Sequence, residues 1–130
     1  MTRNDKEYLF HLLQDIYFDN IDTAKADEAA EAMHSDVRWV HNQVWEHDAH
    51  KTNIRDTFNG RKEVREFLRK RVLEMQIEGI IHKVENVVSD GKLGAFKANV
   101  IGTDKSKKPF FGLVELEDNK IIYYRVLPQE

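Results

Sequence analysis

The stretch 60–127 constrains the fold more than any other part of this chain. It opens with a charged amphipathic segment, GRKEVREFLRKRVLEM, in which Val64, Phe67, Leu68, Val72 and Met75 recur at helical spacing. Gly79 stops that helix. Strand-like runs follow at 80–88, 93–101, 110–117 and 121–127. Polar turns separate them: Ser89-Asp90-Gly91-Lys92, residues 103–108, and Glu117-Asp118-Asn119-Lys120. A helix feeding an antiparallel meander predicts an α+β domain.

Upstream, Leu9, Leu12, Leu13, Ile16 and Tyr17 predict a first helix over 5–19. Residues 20–23 break it, and Asp22 or Thr23 is expected to cap a short alanine-rich helix over 24–33. Val37-Arg38-Trp39-Val40-His41 reads as a strand, with Val37 and Trp39 on one face. Residues 42–59 are the least regular part and read as a long loop or irregular hairpin. Ordered loops of that length are more often functional than short ones.

At 130 residues the chain fits one domain, 1–130, with one real core. Apolar residues at 41% and charged residues at 33% are those of a folded globular protein, not a disordered one. No apolar run is long enough for a membrane span, and the polar start lacks a signal-peptide h-region, so a cytoplasmic location is expected. With no cysteine, disulfides and thiol chemistry are excluded.

Charge is unevenly spread. Residues 1–59 carry 6 basic and 12 acidic side chains, and residues 60–108 carry 12 and 7. The basic excess, Arg61, Lys62, Arg65, Arg69, Lys70 and Arg71, is interleaved with Glu63, Glu66 and Glu74. That is the pattern of a solvated helix face. Without aromatic interleaving or a reading motif it points to no nucleic-acid partner. No GxGxxG, P-loop, GxSxG or HExxH pattern occurs, so nucleotide-dependent and serine-hydrolase mechanisms lack support.

Order and spacing carry a resemblance along nearly the whole chain. The matching text is the second helix ending at Met33 before Ser35-Asp36-Val37-Arg38-Trp39, and Gly60-Arg61-Lys62-Glu63-Val64-Arg65-Glu66-Phe67-Leu68 opening the third. It continues with His82-Lys83-Val84, Ser89-Asp90-Gly91, Ile101-Gly102-Thr103-Asp104 and 114–121. In these the chain resembles the nuclear transport factor 2-like superfamily, and within it the SnoaL-like group of polyketide cyclases and ketosteroid isomerase-like proteins. The resemblance implies a cone-shaped α+β fold, with three helices on a strongly curved antiparallel sheet around an apolar pocket. That fold hosts isomerases, cyclases, epoxide hydrolases, dehydratases and non-catalytic association domains, so it does not fix function.

Laid against the ketosteroid isomerase pattern, Tyr17 falls at the oxyanion-hole tyrosine and His41 at the catalytic base. Pro109 falls near the protonated acid and cannot donate, which argues against a steroid isomerase. The expected chemistry is cofactor-free acid–base catalysis on a small hydrophobic molecule, with His41 as base and Tyr17 and His82 as hydrogen-bond donors. Trp39, Trp45, Phe58, Phe67, Phe96, Tyr123 and Arg125 are the expected ligand-binding residues. The alternative is a non-catalytic dimeric binding or association module. In either case outward aromatics of the sheet, with Ile122, predict a homodimer face. His41, Glu46, His47, Asp48 and His50 match no metal-ligand spacing, and no metal is assigned.

Overall fold

The computed structural model describes residues 4–42 and 55–129. Trp45 and most of the irregular segment, including His47 and His50, lie outside the described residues.

The first helix, α1, is one continuous run with a change of pitch. An α segment Asp5–Phe10 passes into a π segment His11–Phe18 and returns to α over Asp19–Asp22. Asn4 caps its start by accepting from the Glu7 N–H at 2.8 Å. The sequence places a break at 20–23, but the helix runs through Asp22 and ends at Thr23. A short α2, Ala26–Ala30, follows. No side chain caps it, so Asp22 and Thr23 are not its caps. The long α3, Arg61–Glu78, matches its predicted span and ends at Gly79 in the left-handed conformation.

The described residues include six strands: β1 Met33–Asn42, β2 Arg55–Asn59, β3 Ile81–Ser89, β4 Leu93–Ile101, β5 Lys107–Glu117 and β6 Lys120–Pro128. Their order is β2-β1-β6-β5-β4-β3. The sheet is curved and open, and it corrects the antiparallel expectation. β1 runs parallel to β6, with Trp39 opposite Tyr124 and His41 opposite Val126. All other neighbours are antiparallel. β1 is joined to β6 through the helices and the meander, not by a hairpin, so either direction was sterically open to it.

Alternation assigns the faces. Val37, Trp39, Phe96, Ala98, Val100, Phe110, Val114, Tyr124 and Val126 point inward and are buried against the helices. Gly112 is inward too. A Cβ there would lie 2.1 Å from the Phe96 ring, so only glycine lets that ring cross the strand.

Among the described residues the outer edge of β3 has no strand partner, and side chains of α1 bond to it instead. Gln14, buried to 6% exposure, accepts from Val84 N–H at 2.7 Å and donates to the His82 carbonyl at 3.0 Å. Asp22 accepts the His82 backbone N–H at 2.8 Å. Two helix side chains thus satisfy an edge that would otherwise be open to other strands. No helix among the described residues is long and apolar enough to cross a membrane.

Candidate functional site

Between the helices and the inner sheet face lies a cavity of about 50 Å³. Tyr17, Phe18, Trp39, Phe110 and Tyr124 form much of its wall, and four polar side chains converge on it: Tyr17, His41, Arg71 and His82. Its volume holds one or two waters or the polar head of a small molecule. A whole drug-sized ligand needs several times more room.

His82 is fixed on every side. Its ring stacks on Phe18, with centroids 5.0 Å apart and planes at 10°. Phe110 meets it edge-on. Its Nδ1 lies 2.6 Å from Asp22 Oδ1, and both side chains are nearly buried, at 11% and 10% exposure. A carboxylate accepts, so Nδ1 carries the proton. In the neutral ring Nε2 is then the lone-pair nitrogen. Asp22 reaches this position because the helix continues past 19 instead of breaking there.

Tyr17 sits on the π segment. Its oxygen accepts a hydrogen bond from Trp39 Nε1–H at 3.0 Å. Its ring packs on Tyr124 at 5.3 Å. Burial raises the Tyr17 pKa well above the usual phenol range, and the hydrogen bonds with Trp39 and Tyr124 only partly oppose it. Tyr124 is raised as well, first by burial and then by its proximity to Tyr17. Tyr17 is therefore a neutral phenol at physiological pH. With one lone pair engaged by Trp39, its own O–H is the group it can offer to another acceptor.

The sign of this effect is testable. Unfolded tyrosine ionises near pH 10.0. Above that pH the unfolded chain loses phenolic protons that the folded chain keeps. Stability from these two groups is thus whole below about pH 10 and falls as pH rises beyond it. An alkaline titration followed by phenolate absorbance and circular dichroism should show Tyr17 and Tyr124 ionising only as the fold is lost. A full tyrosinate signal from an intact fold would contradict the burial.

His41 is half-buried and stacks on Trp39, with centroids 5.2 Å apart and planes at 13°. Across the β1–β2 ladder it faces Asp56. Trp39 itself is packed between Tyr124, Phe67 and Phe58. Of the expected ligand-binding residues, Trp39 and Phe67 line the cavity. Phe58 lies behind them against Phe67 at 4.8 Å. Phe96 is core, edge-on to Phe18 and Phe110.

Tyr123 and Arg125 are on the other face, which is a correction. Register places Tyr124 opposite Trp39, so its neighbours turn outward. There Arg125 donates to Asn42 Oδ1 at 2.8 Å. Among the described residues no cluster of three or more His, Asp or Glu is placed to hold a metal ion.

Two site residues were not singled out from the sequence. Asp22 was read as a cap, and nothing local links it to a histidine 60 positions away. Arg71 was read as part of a solvated face, yet it is 5% exposed. A signal for it existed. Val64, Leu68, Arg71 and Met75 stand at i, i+4, i+7 and i+11, so Arg71 occupies a place in the apolar stripe.

By sequence, no family model and no curated protein matches this chain. Solved structures do. A ketosteroid isomerase-like protein from Kribbella flavida superposes with a TM-score of 0.65 at 21% identity, covering 97% of this chain and 81% of its own. An LEH-like epoxide hydrolase from M. tuberculosis gives a TM-score of 0.67 at 15% identity, covering 97% and 86%. A protein of unknown function from Cytophaga hutchinsonii, described as nuclear transport factor 2-like, gives 0.63 at 9% identity, covering 99% and 93%. At these identities the likeness establishes architecture and no activity. With helices on a curved, open six-stranded sheet and these neighbours, the chain has the nuclear transport factor 2-like fold.

Proposed function

We propose that the cavity carries out cofactor-free acid–base chemistry on a small molecule, with His82 as the base and Tyr17 as the hydrogen-bond donor. The observation that carries this is the 2.6 Å contact between His82 Nδ1 and Asp22. It sets the tautomer in which Nε2 accepts a proton, and the negative charge of Asp22 favours the imidazolium that results. Tyr17, on the same cavity, is a neutral donor suited to an oxygen that gains negative charge. The reaction classes this arrangement serves are isomerisation, dehydration or hydration, and aldol-type cyclisation. Structural neighbours that include isomerase-like and epoxide hydrolase-like proteins are consistent with it. The base role is given to His82, whose ring Asp22 holds in the required tautomer.

The step this arrangement would catalyse is removal of a proton from the carbon beside a carbonyl. A panel of small carbonyl compounds in D2O, followed by proton NMR, reads it as deuterium entering the α-carbon without knowledge of the full reaction. Exchange dependent on His82 supports the reading. The absence of exchange across the panel, with nitrogen NMR showing the His82 proton on Nε2, rejects it.

We further propose that the chain pairs with a second copy through the outer sheet face. Val88, Leu93, Phe111, Leu113 and Leu127 are exposed there, from 42% to 65%. Both charge signs accompany them. Lys97 pairs across the ladder with Phe111, Arg125 with Leu113, and Glu115 with Leu93. A face that carries an apolar centre and both signs can complement itself about a two-fold axis. Four strands of this length present a face on the order of 600 Å², near the size needed for a stable dimer. Leu113→Asp is expected to convert a dimer to monomer in analytical ultracentrifugation with its melting profile otherwise intact. A wild-type monomer at high micromolar concentration would refute the pairing.

A further inference from the structure

We infer that Gln14 is a positioning residue for His82, the member of one row of α1 that keeps the base aimed into the cavity. The inference rests on the acid–base reading and names what holds its base in place.

Gln14, Phe18 and Asp22 stand four residues apart on α1, and all three touch His82. Asp22 bonds to its backbone N–H and to its Nδ1. Phe18 stacks on its ring. Gln14 Nε2 donates to its carbonyl at 3.0 Å. A straight α-helix turns about 100° per residue, so positions four apart drift by about 40°, and Gln14 and Asp22 would stand about 80° apart. The π segment takes up this drift. Its wider turn lets the Asp19 N–H reach back five residues to the Gln14 carbonyl. The three side chains thereby stay in one row along β3.

Gln14 uses every part of its buried amide. Oε1 accepts from Val84 N–H at 2.7 Å. Nε2 donates to Asp19 Oδ1 at 2.8 Å as well as to the His82 carbonyl. A donor between two acceptors, with an acceptor on a donor, fits one amide orientation only. The consequence is mechanical. Among the described residues β3 is the last strand of the sheet, held by β4 on one side and by α1 on the other. An edge strand hinged on one ladder can tilt, and Asp22 restrains it at residue 82 alone. Gln14 adds bonds at residues 82 and 84, and the second point of attachment stops the tilt. A tilt would swing the imidazole, and with it Nε2, relative to Tyr17. Proton transfer is sensitive to such shifts, since a displacement of about 1 Å can cost about a hundredfold in rate. The same bonds also cover the strand edge, so the test needs a readout that edge cover alone would not move.

Gln14→Met, close in volume, removes all three bonds and leaves Asp22 and His82 unchanged. The rate of α-deuterium exchange is expected to fall about ten- to hundredfold. Nitrogen NMR of the same variant, which needs no substrate, is expected to show mixed His82 tautomers where the wild type holds the proton on Nδ1. Asn20→Ala is the control. It removes another side-chain bond of α1, to the Ile16 carbonyl at 2.7 Å, and it lies off the row. It is expected to lower the melting temperature and to leave exchange and tautomer as they were. Wild-type exchange with a single tautomer in Gln14→Met, whatever its melting temperature, would overturn the inference and leave Gln14 as edge cover. Equal loss of exchange in Asn20→Ala would overturn it too, as general loosening of α1. Should Gln14→Met not fold, Gln14→Glu keeps the acceptor for Val84 N–H and turns an oxygen toward the His82 carbonyl. The same loss is expected there, and unchanged exchange with a single tautomer rejects the role. The acid–base reading fails separately. If the wild type shows no His82-dependent exchange, that reading falls, and the tautomers of Gln14→Met still decide whether Gln14 positions His82.

Discussion

His82→Ala is expected to lower the rate of α-deuterium exchange by about a hundred- to ten-thousand-fold, the usual range for loss of a positioned base. The fold should survive. The backbone N–H of His82 still bonds to Asp22, and its carbonyl still accepts from Gln14. Asp22→Asn should act in the same direction with a smaller effect. An amide can hold the ring by hydrogen bonding, but it provides no charge to stabilise an imidazolium and can reverse the tautomer. The control is His41→Ala. His41 lines the same cavity but is held by stacking on Trp39, and it faces Asp56 across the strands. If His82 is the base, His41→Ala leaves most of the rate. If instead His41→Ala abolishes exchange and His82→Ala does not, the roles must be reversed. Proton NMR of the same samples in D2O gives both numbers.

The parts of this molecule that were legible in the sequence are those governed by local periodicity. α3 announces itself because an apolar residue returns every three or four positions and Gly79 closes it. The turns of the meander announce themselves because Asp90 and Gly91, and Asp118 and Asn119, suit tight reversals. Asp118 and Asn119 indeed take positive φ angles of 51° and 63°. β4 falls on its predicted residues.

What was not legible depends on departures from period or on distance. The π segment His11–Phe18 advances more residues per turn than an α-helix. The apolar spacing still carries the helix through 19, but the polar residues 20–23 look like a breaker, whereas the helix continues through Asp22. That stop makes Asp22 look like a cap and conceals its partnership with His82. The parallel register of β1 on β6 is a long-range pairing that no turn signals. It decides that Tyr124, and not Tyr123, reaches the cavity. For Arg71 the stripe position was visible, but a basic neighbourhood made it look solvated.

Trp39→Ala is expected to cost about 3–5 kcal/mol of stability, a large share of what a domain of this size possesses. Trp39 is 2% exposed. Its indole is shared among four elements: Phe67 on α3, Phe58 on β2, Tyr124 on β6 and, through Nε1–H, Tyr17 on α1. Truncation opens a void among rings that cannot all shift toward it, and it removes the hydrogen bond received by a buried phenol. Trp39→Phe separates these losses. It retains most of the ring packing and forfeits the donor, so about 1–2 kcal/mol is expected. Urea unfolding followed by circular dichroism measures both variants. A cost below about 1 kcal/mol for alanine would mean that the indole is not the junction its contacts describe. The consequence reaches the site. Tyr17 and Trp39 share one hydrogen bond, so the residue that holds the sheet to α1 also fixes the phenol oxygen. A Trp39→Phe chain that folds but exchanges deuterium more slowly would show that the core contact and the donor geometry are one feature.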